Sequence, residues 1–267
     1  MGISSMRKRV CIMVLALGLL TGCAGAPAQQ TEEPASAEDA SAVEVQVEEP
    51  QAAEPSLMVA IDPGHQSWDV DMSDTEPVGP GATEYKQKAT TGTAGRYSGV
   101  AEYALNLDIS LLLRDKLEQR GYRVVLTRED NQTAISNAER AQLASEAGAD
   151  IYLRIHANGS EDTSVHGALA LVPSAQNPYV ADLHESSLQL AQCVLTAYCE
   201  ATGFSDLGVQ DNDTMTGINW STCPVMILEM GFMTNEQDDL AMADADFRMK
   251  MVQGIADGVE RYDEQTK

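Results

Sequence analysis

Three short apolar runs, each leading into a side chain able to carry chemistry, constrain this chain most. Leu57 to Ile61 leads through Asp62, Pro63 and Gly64 to His65; Ile151 to Ile155 leads to His156; Val225 to Leu228 leads to Glu229. Runs of this length bounded by turn residues read as buried strands. The intervening segments have helical periodicity. From Glu102 to Arg120, Leu105, Ile109, Leu112, Leu113 and Leu117 form one apolar stripe, and Gly121 stops the helix. Ser136 and Glu139 have the spacing of a capping box, which starts a helix reaching about Ala147. Arg123 to Thr127 and Gly167 to Val172 are further strands; Ala181 to Thr202 and Asp246 to Tyr262 are further helices. Alternation of strands and helices predicts a single α/β domain with a mostly parallel, twisted sheet flanked by helices. In such sheets the site lies beyond the carboxyl ends of the strands. His65, His156 and Glu229 are therefore expected along one edge, with Glu102, at the head of a helix, facing it.

Not all of the chain is expected to fold. Residues 1–22 read as a signal peptide: Arg7, Lys8 and Arg9 form a basic head, and Val10 to Leu20 is apolar but well short of the ~20 residues that span a bilayer. Leu20, Thr21, Gly22 and Cys23 resemble the lipobox of bacterial lipoproteins. That resemblance implies a lipidated Cys23 at the mature N-terminus, a membrane partner through it, and an extracytoplasmic location facing the cell wall. Residues 23–55 hold eight acidic residues, no aromatic and no Lys or Arg, and read as an extended disordered tether. Residues 56–265 then form the folded domain, large enough for one substantial core.

The net charge of −24 is concentrated in residues 57–267, where 14 Lys and Arg stand against 33 Asp and Glu. Phosphate backbones need a basic surface, so nucleic acid is not an expected partner. Past Cys23 only Cys193, Cys199 and Cys223 remain, with no metal-finger spacing; they are expected to be buried as small apolar groups.

Two imidazoles and a carboxylate suit an open zinc site, since catalytic zinc takes three protein ligands and keeps one position free. His65, Glu102 and His156 would supply that set for one Zn2+ ion, and Glu229 would serve as general base for hydrolysis of an amide. His166, in a polar loop, and His184, between acidic neighbours, are weak metal candidates. Residues 66–99, rich in Gly, Pro, Thr and Asp, read as a long structureless connection; connections beyond ~12–15 residues are usually functional or disordered. Asn158, Asn219 and Trp220 are candidate substrate contacts.

The four central residues lie in segments that together resemble a known family. The domain is similar to the zinc-dependent N-acetylmuramoyl-L-alanine amidases of the Amidase_3 type over residues 57–265. IDPGHQ resembles the first ligand motif and implies His65; Glu102 before its long helix matches the second ligand; RIHANGS resembles the third and implies His156. PVMILEMGFMTNEQD resembles the catalytic-glutamate motif and implies Glu229. The resemblance implies a six-stranded sheet, a peptidoglycan substrate and cleavage between the lactyl group of N-acetylmuramic acid and L-alanine. A monomer is expected. The segment between His65 and Glu102 is longer than in the shortest members and is a candidate groove wall or lid. Regulated members carry an occluding helix between the second and third ligands. The direct passage here from Arg128 into the capped helix leaves no room for one, so an unblocked site is expected. Two other readings remain at this point: a noncatalytic wall-binding lipoprotein, or another zinc peptidase on the same fold.

Overall fold

The apolar runs do become the central strands, because burial on both faces of a sheet demands near-continuous aliphatic sequence. The computed structural model describes residues 57–267; the signal segment, Cys23 and the tether lie outside the described residues. Met58–Pro63 forms β1, buried beyond its first residue. Thr75–Pro77 (β2) and Tyr85–Gln87 (β3) pair as an antiparallel hairpin, followed by helix α1 at Glu102–Gln119. Next come β4 (Arg123–Leu126), α2 (Asn137–Glu146), β5 (Ile151–Asn158) and β6 (Ala168–Val172). Helix α3 (His184–Thr202) follows a short 3-10 turn, then β7 (Asp206–Asp211), α4 (Thr216–Asn219), β8 (Val225–Phe232), α5 (Glu236–Ala243) and α6 (Ala245–Thr266).

Six strands form one sheet in the order β4-β1-β5-β8-β6-β7. The first four are parallel; β6 runs antiparallel to β8, and β7 parallel to β6. The expected single α/β domain with a mostly parallel six-stranded sheet is thus the observed one. Alternate residues of each strand face opposite sides. Val59, Ile61, Leu153, Ile155, Met226 and Leu228 pack under α1, α3 and α6. Ala60, Tyr152, Val225 and Ile227 face the other way, against Ala141 and Ala144 of α2 and Ile218 of α4.

The structure differs from the sequence reading at four points. Residues 66–99 are not structureless. They hold the β2–β3 hairpin, which strands of three half-exposed residues cannot announce in a sequence. The hairpin is held by tertiary bonds: Trp220 Nε1 donates to Pro77 O (3.0 Å), Asn219 Nδ2 to Val78 O (3.0 Å) and Lys86 Nζ to Thr214 O (2.7 Å). Second, β5 and β8 run past Ile155 and Leu228, so His156 and Glu229 lie within strands rather than after them. Third, β7 is a polar, largely exposed edge strand without apolar alternation, and α5 is a short helix whose start is capped by the Asn235 side chain. Fourth, α3 begins at His184 rather than Ala181. The capping box of Ser136 and Glu139 is present, with both reciprocal bonds formed. Cys193 and Cys223 are buried, Cys199 is partly so, and all three are free.

Candidate active site

His65 follows β1 in a strained turn. Its φ of 63° is the one positive value at a non-glycine among the described residues, a conformation that costs about 1–3 kcal/mol and persists only where the surroundings impose it. Two buried arginines impose it. Arg128 donates to Pro63 O (2.9 Å) and Gly64 O (3.0 Å); Arg140 donates to Pro63 O (2.7 Å) and His65 O (3.0 Å). Asp62, fully buried, offsets part of that charge: it accepts from Arg140 Nη1 (2.7 Å), Arg154 Nε (2.8 Å) and Thr127 Oγ1 (2.5 Å). Burial alone would raise the Asp62 pKa, but Arg140, Arg154 and the Thr127 hydroxyl outweigh it and hold the carboxyl well below the usual range.

The imidazole orientation is set from behind. His65 Nδ1 lies 3.0 Å from both Thr90 O and Thr90 Oγ1; the carbonyl, an acceptor only, favours the tautomer with the proton on Nδ1 and a lone pair on Nε2. Glu102 heads α1 and is 3% exposed. Its Oε2 accepts from Thr93 N (2.8 Å); its Oε1 accepts from Ala157 N (3.2 Å) and Asn106 Nδ2 (3.3 Å). Gly92 makes this approach possible: with φ of 73°, a Cβ there would stand 2.3 Å from Glu102 Oε2. Burial pushes the Glu102 pKa up, but the bonds and charges of His156 and His65 prevail and keep the carboxyl ionised.

Three ligand atoms converge. His65 Nε2 is 3.1 Å from Glu102 Oε1, His156 Nδ1 is 3.3 Å from that oxygen, and the two imidazole nitrogens are 3.2 Å apart. An ion with tetrahedral bonds of about 2.0–2.1 Å spaces its ligands by about 3.3 Å, so the trio has the dimensions of a metal cradle. Among the described residues it is the one such cluster. The His156 ring lies against Gly64, where a Cβ would come 2.2 Å from Cε1. Burial pushes the His156 pKa down to about 4, which leaves the ring neutral near neutrality, with one nitrogen free of a proton.

Glu229 stands opposite His156 in the β5–β8 register. Its Oε2 is buried without a hydrogen-bond partner among the described residues. Burial, and then the charge of Glu102, push its pKa up to about 8, with Arg154 opposing. A buried carboxyl of raised pKa beside a cation cradle is suited to taking up and releasing a proton.

The remaining candidates divide. Asn158 ends β5, and its Oδ1 accepts from Gly159 N (2.8 Å). Asn219 is fully buried; its amide donates to Val78 O and Asp213 O and accepts from Asn177 Nδ2. It braces the hairpin, and no part of it is free for a substrate, which corrects the expected contact. Trp220 is half-buried and tied to the same hairpin through Pro77 O. His184 bonds Pro173 O (2.8 Å), and neither it nor His166 joins the cluster. The arginine network around Asp62 escaped the sequence reading, although Asp62 and Arg154 sit inside the ligand motifs. Polar residues within buried strands were the available signal.

The profile of the Amidase_3 family, N-acetylmuramoyl-L-alanine amidase, matches residues 59–261. The chain belongs to this family. Among curated members, the N-acetylmuramoyl-L-alanine amidase LytC of Bacillus subtilis is 30% identical over 165 residues, which are 62% of this chain and 32% of LytC. An N-acetylmuramoyl-L-alanine amidase of Mycobacterium tuberculosis is 28% identical over 214 residues, covering 77% of this chain and 86% of the relative. The solved amidase Ami1 of Mycobacterium abscessus superposes with a TM-score of 0.70 at 27% identity, over 77% of this chain and 98% of Ami1. The match to Amidase_3 includes all four residues singled out above.

Proposed function

We propose that this chain is a zinc-dependent N-acetylmuramoyl-L-alanine amidase, held at the outer face of the membrane by a lipidated Cys23 and acting on peptidoglycan. The observation that carries the reading is the convergence of His65 Nε2, Glu102 Oε1 and His156 Nδ1 to within 3.1–3.3 Å of one another. Family membership supplies the bond: the amide between the lactyl group of N-acetylmuramic acid and L-alanine.

His65, Glu102 and His156 would hold the ion. Zinc bound there supplies a Lewis acid that polarises a carbonyl and acidifies water. Glu229 takes the proton from the attacking water as the new C–O bond forms. It returns that proton to the nitrogen as the C–N bond breaks, so the stem peptide leaves as a neutral amine. Thr90 O and the arginine-held turn keep the His65 ring from rotating, and Thr93 N and Ala157 N do the same for Glu102. A preset cradle avoids reorganisation during the reaction.

Digestion of purified muropeptides with added zinc, with a chelator, and with Glu229→Ala tests the reading. Release of stem peptide with a free L-alanine amino group, lost in the last two arms, is expected. Cleavage that ignores the chelator, or full activity of the variant, overturns the mechanism; binding without cleavage favours a wall-binding role.

A further inference from the structure

A groove with a cavity volume of about 530 Å³ is formed by residues 66–73 on one side and Gln87, Ala89, Thr90 and Thr91 on the other. It meets the ligand cradle at two points. Gln66 directly follows His65, and Thr90, whose carbonyl holds His65 Nδ1, lies on the opposite wall. Trp68 on the first wall is 78% exposed, the most exposed large hydrophobic residue among those described.

Both walls are anchored. Gln66, 1% exposed, is gripped by Arg140 Nη2 at 2.6 Å. Ser67 N bonds Asn131 O (2.9 Å), and Val70 N closes a turn on Ser67 O (3.1 Å), which fixes the backbone on either side of Trp68. The opposite wall is tied to the start of α2, where Asn137 donates to Lys88 O through its backbone N (2.9 Å) and Nδ2 (2.8 Å). The indole is therefore presented on a built surface beside a built wall.

The lining selects a class of ligand. Asp69, Asp71 and Thr91 offer oxygen acceptors and a hydroxyl, and no Lys, Arg or His is among the lining residues. An anionic ligand would meet only repulsion. A pyranose ring meets both demands: its C–H face, weakly positive, packs on the negative face of the indole, and its hydroxyls donate to the carboxylates. In the proposed reaction the sugar is joined through its lactyl ether to the carbonyl that is attacked, so a sugar must lie within a few bonds of the ligand cradle.

We propose that Trp68 is the stacking platform of a sugar subsite that holds the glycan strand beside the metal ligands. The placement rests on the amidase reading. A competing occupant is the ammonium group of a diamino acid in the stem peptide, paired with Asp69 or Asp71.

The protein has two tryptophans, Trp68 and Trp220. In the 15N-labelled protein each gives one indole N–H resonance, assigned with Trp68→Ala. Titration with a peptide-free tetramer of β-1,4-linked N-acetylglucosamine is expected to shift the Trp68 resonance saturably and leave that of Trp220 in place. On glycan-linked muropeptide, Trp68→Ala is expected to raise KM about five-fold, the size of one aromatic contact, with a larger change in KM than in kcat, and Trp68→Phe to restore part of it. An unmoved Trp68 indole, or a shift caused by free stem peptide and not by the tetramer, overturns the sugar subsite. Failure of the amidase reading has a different signature: the unmodified protein cleaves nothing, whatever its indole does.

Discussion

His156 on β5 and Glu229 on β8 are register partners in adjacent parallel strands. Paired residues in a sheet point to the same face, so the pairing that builds the core also sets a candidate metal ligand beside the proposed general base. Each lies toward the end of a run of buried residues, so a one-residue slip would carry a polar group into the core.

Glu229 is placed to move protons, whereas the cradle is complete without it. Glu229→Gln is expected to lower kcat by about 10²–10⁴-fold while the protein still binds one zinc per chain. Steady-state kinetics beside metal analysis of the same sample checks this; loss of the metal together with activity would make Glu229 a ligand instead.

Zinc binding should stabilise the fold, because the three ligands come from β1, α1 and β5 and only the folded chain brings them together. At about a thousand times the dissociation constant the gain is about 4 kcal/mol, or on the order of 10 °C in Tm for a domain of this size. Differential scanning fluorimetry with and without a chelator should show that difference in the unmodified protein and none in Glu102→Ala.

Gly64 has no room for a side chain. Its Cβ would stand 2.2 Å from His156 Cε1, and Gly64 O and the backbone around it are held by arginines that cannot yield. The ring must move, so Gly64→Ala is expected to weaken zinc binding about 10- to 100-fold, as displacement of a supporting group does. Calorimetric titration of zinc measures it; unchanged affinity would mean that the turn relaxes.

Asp62 makes stability depend on acid. Its pKa is depressed in the folded state, so its contribution is fully present above the unfolded value of about 3.9 and is lost as pH falls below it. Asp62→Asn leaves Arg140 and Arg154 buried beside a neutral group and is expected to cost about 3–5 kcal/mol at pH 7. Urea unfolding at pH 7 and at pH 3 should show the gap between the two proteins shrinking in acid; an equal gap at both would place the Asp62 contribution elsewhere.

The candidate ligands were legible because each interrupts or terminates a pattern. An imidazole or carboxylate after an aliphatic run, or on the core side of a helix start, has a burial cost that demands a partner. The edge strand β7 and the β2–β3 hairpin were not legible, because exposed polar strands obey no periodicity; β7 is held by pairing with β6, and the hairpin by bonds to residues more than a hundred positions away, such as Lys86 to Thr214. Asn219 looked like a substrate contact for the same reason: a polar residue near a strand start is equally suited to a surface or to an internal brace until its partners are known.

Sequence alone determined the α/β class, the order of the main elements and the four residues with chemical potential, since local periodicity and burial cost are properties of short segments. Only the tertiary structure decided that three of their atoms meet within 3.3 Å, that Asp62 and buried arginines hold the His65 turn, and that Gly64 and Gly92 are required by close approach. Those relations join residues 10 to 92 positions apart, and packing, rather than any local pattern, brings them into contact.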